Sequence, residues 1–426
     1  MDAQVTITAL GALVALIVSI VLIFKKVAPF YALFIGAILG GLIGGASIVD
    51  TIGLMKGGAA GMITAILRIL AAGIMAGILI KSGAAASMAY TIIDKLGAKK
   101  ALLAISLATM LLTMVGVFID ISVITVAPIA IEIAKKLKIS RTTILLAMIG
   151  GGKAGNMMSP NPNAIAVSDS FGVPLTSVMM AGIIPAVIGI ALTFVVATKL
   201  SKSGKGTSFS LEEGGEVSNA DNLPSFGKSI LGPVVAIVLL SLRPIFDINI
   251  DPMLALPVGG LVAVIVLGKA KHVVEYTQYG LDKMTNVAII LLGTGLIAGI
   301  ISNSTLGDVF INAIEVLGLP TYLLAPIAGI LMSAATASTT SGSAVASSVF
   351  GGTLTGAGVA PLAGAAMIHT GATVLDHLPH GSFFHATGGS VSMAFKERLA
   401  LIPYESMIGL AMTIVSTIIY GVIGIM

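Results

Sequence analysis

The chain has 426 residues, of which 56% are hydrophobic and only 10% charged, and its mean hydropathy is +1.07. A soluble domain carries charge on about a quarter of its residues, so this composition excludes a soluble globular protein and points to a polytopic helical membrane protein. The absence of cysteine excludes disulfides, thiol catalysis and Cys-ligated metals, and the net charge of +4 rests on loop lysines that report topology, not nucleic acid.

The first apolar run, Val5 to Phe24, lacks a basic leading region, because Asp2 precedes it and Lys25 and Lys26 follow. It reads as a retained first helix. Further helices are expected at about 28–46 and 61–82, then an amphipathic piece at 84–97 and a paired segment at 100–118 and 121–135. A segment at 142–170 is broken near Pro160, and a helix at 175–198 follows. Ser201–Lys228 is rich in Gly, Ser and Glu without apolar periodicity, and reads as a linker. Beyond it the order repeats: 229–246, 253–268, 286–302, an amphipathic piece at 304–318, a pair at 320–336 and 343–358, a broken segment at 361–396, and a helix at 402–425.

Residues support the repeat. "IIDKLGAKKALLAI" (92–105) matches "NAIEVLGLPTYLLAP" (312–326) at the Leu-Gly that ends the amphipathic piece. "AMIGGGKAGNMMSPNPN" (147–163) matches "AMIHTGATVLDHLPHGS" (366–382) in Ala-Met-Ile, a glycine and a proline. Both fall in the same order beside the same hydropathy pattern, which points to duplication. Basic clusters at Lys25/Lys26, Lys95–Lys100, Lys135–Arg141, Lys199–Lys205, Lys269/Lys271 and Lys396/Arg398 mark the cytoplasmic side. The halves then have opposite topology, as in many secondary transporters. The expected fold is an all-α polytopic membrane protein: two inverted-topology repeats (1–200 and 229–426) joined by a cytoplasmic linker (201–228), with re-entrant hairpins and broken transmembrane helices.

Four breaks interrupt the apolar pattern, and non-helical backbone at bilayer depth is costly unless it is buried or lines a wet cavity. Asp120, in "GVFIDISVITVAP", is either a turn aspartate reaching water or a buried proton or ion site. "GNMMSPNPN" (155–163) has two prolines that forbid a continuous helix, and Ser159, Asn161 and Asn163 are able to cap the next helix and leave its amides for an anion. Lys153, one turn earlier, either neutralises an anionic substrate or pairs with a carboxylate. "TASTTSGS" (336–343) supplies hydroxyls through Thr339, Ser341 and Ser343, for a ligand or for helix packing. "TVLDHLPHGSFFHATGG" (373–389) gathers Asp376, His377, His380 and His385, with His369 two turns before Asp376. Histidine beside aspartate suits proton coupling, with a metal site as the rival explanation.

Taken together, "GVFIDISVITVAPIAIEIAKKL", "MMSPNPNAIAVSDSFGVPLTSVMMAGIIPAVIGI" and "HLPHGSFFHATGGSVSMAFKERLALIPYES" resemble the gluconate:proton symporter (GntP-type) permease family across nearly the full chain. The Asp-x-Leu-Pro-His form is closer to relatives that carry short hydroxy acids such as 3-hydroxybutyrate. The resemblance implies the ion-transporter fold, a homodimer, residence in the bacterial inner membrane as a multi-pass protein, and a family acidic residue at Asp120.

The resulting expectation is a symporter, not an enzyme, that imports a small organic anion with protons or, as a lesser alternative, sodium. Substrate contacts are expected from Ser159, Asn161, Asn163, Thr339, Ser341, Ser343, His380 and Ser382. Ion coupling is expected from Asp120, Asp376, His369 and His377. No cofactor, resident metal or nucleic-acid partner is expected. The rivals are a sodium/proton antiporter of the same superfamily, a metal enzyme built on the histidines, and a channel.

Overall fold

The computed structural model describes residues 6–425, apart from 26, 98–99, 203–222, 247, 249, 308, 310–311, 313–315, 317 and 380. Most of the expected linker, part of the amphipathic piece at 304–318, and His380 therefore lie outside the described residues.

The described chain is helical almost throughout. The first half runs α1 (Ala9–Phe24), α2 (Pro29–Ile43), α3 (Ile48–Gly61), α4 (Ile63–Lys81), α5 (Ala84–Leu96), α6 (Ala101–Met114), α7 (Ile119–Leu137), α8 (Arg141–Asn156), α9 (Pro162–Phe171), α10 (Leu175–Ala181) and α11 (Ile183–Lys202). The second runs α12 (Phe226–Phe246), α13 (Pro252–Val266), α14 (Val273–Ser302), α15 (Leu324–Thr336), α16 (Thr339–Gly356), α17 (Pro361–Gly371), α18 (Ser382–Ser390), α19 (Phe395–Leu399) and α20 (Ile402–Ser416), with a final turn at Thr417–Val422. Local chemistry sets many starts. Proline stands in the first turn of α2, α9, α13 and α17, where its missing N–H costs nothing, and Ser47, Ser140, Asn161, Asp251 and Ser338 cap helices with their side chains.

Two expected helices prove longer than the sequence pattern suggests. Residues 48–81 form one apolar stretch of 34 residues, and 270–302 one of 33. At 1.5 Å per residue the first is about 50 Å long and extends past a hydrocarbon core of about 30 Å. Asp50, Lys56 and the glycines of "MKGGAAG" mimic a helix end, but the apolar stretch continues and Gly58 among them is a packing residue. The α3–α4 stretch lies along α14 with the backbones nearly touching: a Cβ on Gly280 would collide with the Gly73 carbonyl, and one on Gly58 with the Gly295 carbonyl. Small residues at such seams let dispersion hold helices together where lipid offers no hydrophobic drive.

Four helical stretches among the described residues are long and apolar enough to cross a membrane, and α9 with α10 makes a fifth that is bent by 115° after Phe171. The expected helix at 175–198 is thus divided at Gly182, its first part belonging to this bent pair. α6 packs on α7 and α8, and α15 on α16 and α17. Contacts between the halves match as well: α9 meets α16, and α18 meets α7. These two contacts bring the breaks together.

Candidate functional site

Each break ends in a helix N-terminus. The chain leaves α6 through Gly116, at φ +100°, and starts α7 after Phe118, with Asp120 in its first turn accepting from the Ile121 amide at 2.9 Å. After α8 the "SPNP" stretch blocks the helix until Asn161 caps α9, its Oδ1 accepting from Ala164 N at 2.9 Å. The Asn161 amide also donates to the carbonyl and the side-chain oxygen of Asn156, both at 2.6 Å, which ties the two sides of that break. Between α15 and α16, Ala337 takes a left-handed turn at φ +47° and Ser338 caps α16 through Ser341 N at 3.2 Å. The fourth break, 372–381, ends at Gly381, which begins α18.

These four N-termini open onto one cavity of about 740 Å³, lined by Phe118–Ile121, Asn161–Asn163, Thr336–Ser341 and Gly381–Phe383. Free backbone amides and the positive ends of four helix dipoles therefore converge on the same space, an arrangement that favours an anion, by about 0.3–1 kcal/mol for each helix end. Hydroxyls and amides of Asn156, Asn163, Thr339, Thr340, Ser341 and Ser382 add neutral partners. Lys283, Asn286 and Met284 of α14 complete the wall beside Asp120. Across it, Thr340 donates to Asn163 Oδ1 at 2.5 Å, joining the tips of α16 and α9.

Asp376 forms the inner wall. Its Oδ2 accepts from Thr339 Oγ1 at 2.5 Å and its Oδ1 from Lys153 Nζ at 2.5 Å, with the carboxylate 2% exposed and the lysine fully closed to solvent. Lys153 also donates to Thr373 O at 2.5 Å and meets His377 Nδ1 at 3.0 Å. His377 Nε2 faces the Ile402 carbonyl at 3.1 Å. Nδ1 also lies 2.9 Å from Asp376 Oδ1 and Nε2 3.2 Å from the Ser406 hydroxyl. With hydrogen on Nε2 the ring donates to Ile402 O and Nδ1 accepts from Lys153, whereas with hydrogen on Nδ1 it donates to Asp376. Behind it Glu405 Oε2 lies 3.8 Å from His377 Nδ1, and Glu405 is paired through both oxygens with buried Arg398. With His377 neutral this string holds two positive and two negative groups, the condition under which buried charge is tolerated.

A second ion cluster lies apart from the cavity. Arg68 of α4 bonds both Asp169, at the end of α9, and Asp251, the cap of α13.

The model of the GntP family permease matches residues 5–423. The chain belongs to the GntP permease family. The permease is 60% identical over 417 residues to a protein described as an uncharacterized transporter of Haemophilus influenzae, an alignment covering 98% of this chain and 99% of that one. A shorter match, 36% over 131 residues and 30% of this chain against 29% of the relative, is to the inner membrane permease YgbN of Escherichia coli. Among solved structures, the Alcanivorax borkumensis YdaH transporter aligns with a TM-score of 0.66 at 14% identity, over 87% of both chains. Neisseria gonorrhoeae MtrF, described with a class of antimetabolite efflux pumps, aligns with 0.65 at 15%, over 87% of this chain and 83% of that one. At such identity the likeness is one of fold alone. The permease is a multi-pass membrane transporter, not an enzyme.

Of the residues singled out from the sequence, the permease brings Asp120, Asn161, Asn163, Thr339, Ser341, Asp376 and Ser382 to the cavity wall. Ser159 and Ser343 are buried behind it, each hydroxyl without a hydrogen-bond partner among the described residues. His369 is buried on α17 with Nε2 likewise unpartnered, and His377 stands behind Asp376. Sequence reasoning missed Asn156, Lys283, Asn286 and Thr340 as wall residues. Asn156 and Thr340 sit inside motifs already marked by their prolines and hydroxyls. Lys283 and Asn286 carry no local signal, since only the packing of α14 brings them to the cavity.

Proposed function

We propose that the permease is a secondary active symporter that imports a small organic anion, gluconate or a short hydroxycarboxylate, with protons. The observation that carries this is the convergence of four helix N-termini on one cavity. The substrate carboxylate sits against the amides that open α9, α16 and α18, with Asn161, Asn163, Thr339, Ser341 and Ser382 as side-chain partners, while Ser159 and Ser343 are buried behind these loops. Asp120 carries the coupling proton: it lines the cavity, is half-buried, and makes no salt bridge among the described residues. A proton on Asp120 offsets the cost of bringing an anion beside a carboxylate. Asp376 and His377, with His369, form the charge reserve behind it.

The fold supports inverted repeats built on α6–α7 and α15–α16 as re-entrant hairpins, because the contacts of α7 with α18 and of α16 with α9 interchange when the halves are swapped. A homodimer in the cytoplasmic membrane of a bacterium completes the proposal. The second reading, a sodium/proton antiporter, is favoured by the presence of two carboxylates, Asp120 and Asp376, on the cavity wall. The hydroxyl- and amide-rich lining favours the symporter. Uptake of labelled gluconate, 3-hydroxybutyrate, lactate and citrate into proteoliposomes, with and without an imposed pH gradient, separates them. The symporter accumulates one of these anions when the outside is acidic, and the antiporter accumulates none.

A further inference from the structure

Lys153 is a fully buried cation, and its surroundings are unusual for a lysine. Its ammonium sits against one backbone carbonyl, Thr373 O at 2.5 Å, one carboxylate oxygen, Asp376 Oδ1 at 2.5 Å, and one imidazole nitrogen, His377 Nδ1 at 3.0 Å. With the His377 hydrogen on Nε2, toward Ile402 O, the three N–H groups meet three acceptors. Thr373 follows the end of α17, where the last carbonyls lack helical partners and the dipole is negative. A carbonyl, a carboxylate and a ring nitrogen converging on one buried point make a ligand set for a cation, and the acceptors all come from the break at 372–381. The cation is delivered from the other half, on α8, close to the break that leads to Asn161.

We infer that Lys153 is a tethered cation occupying an ion site that a diffusible cation such as sodium would otherwise fill, so that anion transport by this permease needs no sodium. The inference rests on the symport reading and extends it by assigning the ion site. Asp376, bound to this ammonium and to the Thr339 hydroxyl, stays charged through the cycle and organises the α16 N-terminus rather than exchanging the transported ion. Removing the lysine side chain leaves the acceptors in place and opens the site.

The test compares wild type, Lys153→Ala and Lys153→Ala/Asp376→Asn in two readouts: anion uptake in proteoliposomes and melting temperature of the purified full chain. Both are run in choline, sodium and ammonium chloride. Wild type is expected to transport and melt alike in choline and sodium. Lys153→Ala is expected to lose uptake in choline, to regain it at least tenfold with sodium or ammonium, and to melt higher as either ion is added. The double variant, with its carboxylate neutralised, is expected not to respond. A wild type that requires sodium, or a monodisperse Lys153→Ala that ignores both ions in both readouts, overturns the inference. If Lys153→Ala is not recovered folded, the wild-type sodium comparison alone decides. A wild type that carries no organic anion would instead overturn the symport reading, and the melting of Lys153→Ala with sodium would still test the ion site.

Discussion

Lys153 and Asp376, 223 residues apart, form a 2.5 Å ion pair closed to solvent on both sides. The pair joins the broken helix of the first half to that of the second, so the cavity wall is held by a contact between halves as well as by contacts within each. Removing one partner strands a charge in a dry interior.

Asp376→Ala is therefore expected to destabilise the protein by about 3–5 kcal/mol. Replacing both partners, as in Lys153→Met/Asp376→Leu, is expected to restore most of that loss, because burying no charge costs less than burying an unpaired one. Unfolding of the detergent-solubilised protein measures both. A double variant no more stable than Asp376→Ala would contradict the pairing.

Asn161→Ala removes the α9 cap and the link to Asn156. The expected stability loss is about 1 kcal/mol, and the apparent affinity for the transported anion falls about fivefold or more because the amides that receive it lose their alignment. Ser140→Ala removes the cap of α8, whose N-terminus is not part of the cavity wall. It is expected to cost similar stability and leave affinity unchanged. Equal affinity losses in the two variants would point to a general effect and not to the cavity.

Gly280→Val drives a side chain into the Gly73 carbonyl at the closest approach of α4 and α14. Loss of the monodisperse peak on size-exclusion chromatography is the expected result. Gly57→Ala, on the α3–α4 stretch that α14 packs along but facing open space, is expected to fold normally.

The four breaks were legible because their signals are local. Pro160, Pro162 and Pro379 forbid helix, Asn161 favours a cap, and the hydroxyl cluster at 336–343 and the lone carboxylate of Asp120 interrupt apolar runs, so each break could be placed within a few residues. Their function as a set was not legible, because α7 meets α18 and α16 meets α9 only through tertiary packing. The same limit applied to Lys153: its position one turn before a break was plain, but its partner lies in the other half. The extent of α3–α4 and of α14 was hidden by Asp50, Lys56 and clustered glycines, which look like a helix end in a hydropathy scan and become a packing seam in three dimensions. Lys283 reaches the cavity from that long helix, so missing the helix meant missing the residue.

The central claim is that an organic anion and a proton cross together through the cavity that Asp120 lines. The most direct test is internal acidification of proteoliposomes carrying a pH-sensitive dye, measured for wild type and Asp120→Asn on adding each candidate anion without sodium. Acidification that requires one anion and is lost in Asp120→Asn, while that variant still exchanges the anion across the membrane, is the predicted result. A pH change driven by sodium alone, with no anion present, would contradict it and make the protein an antiporter.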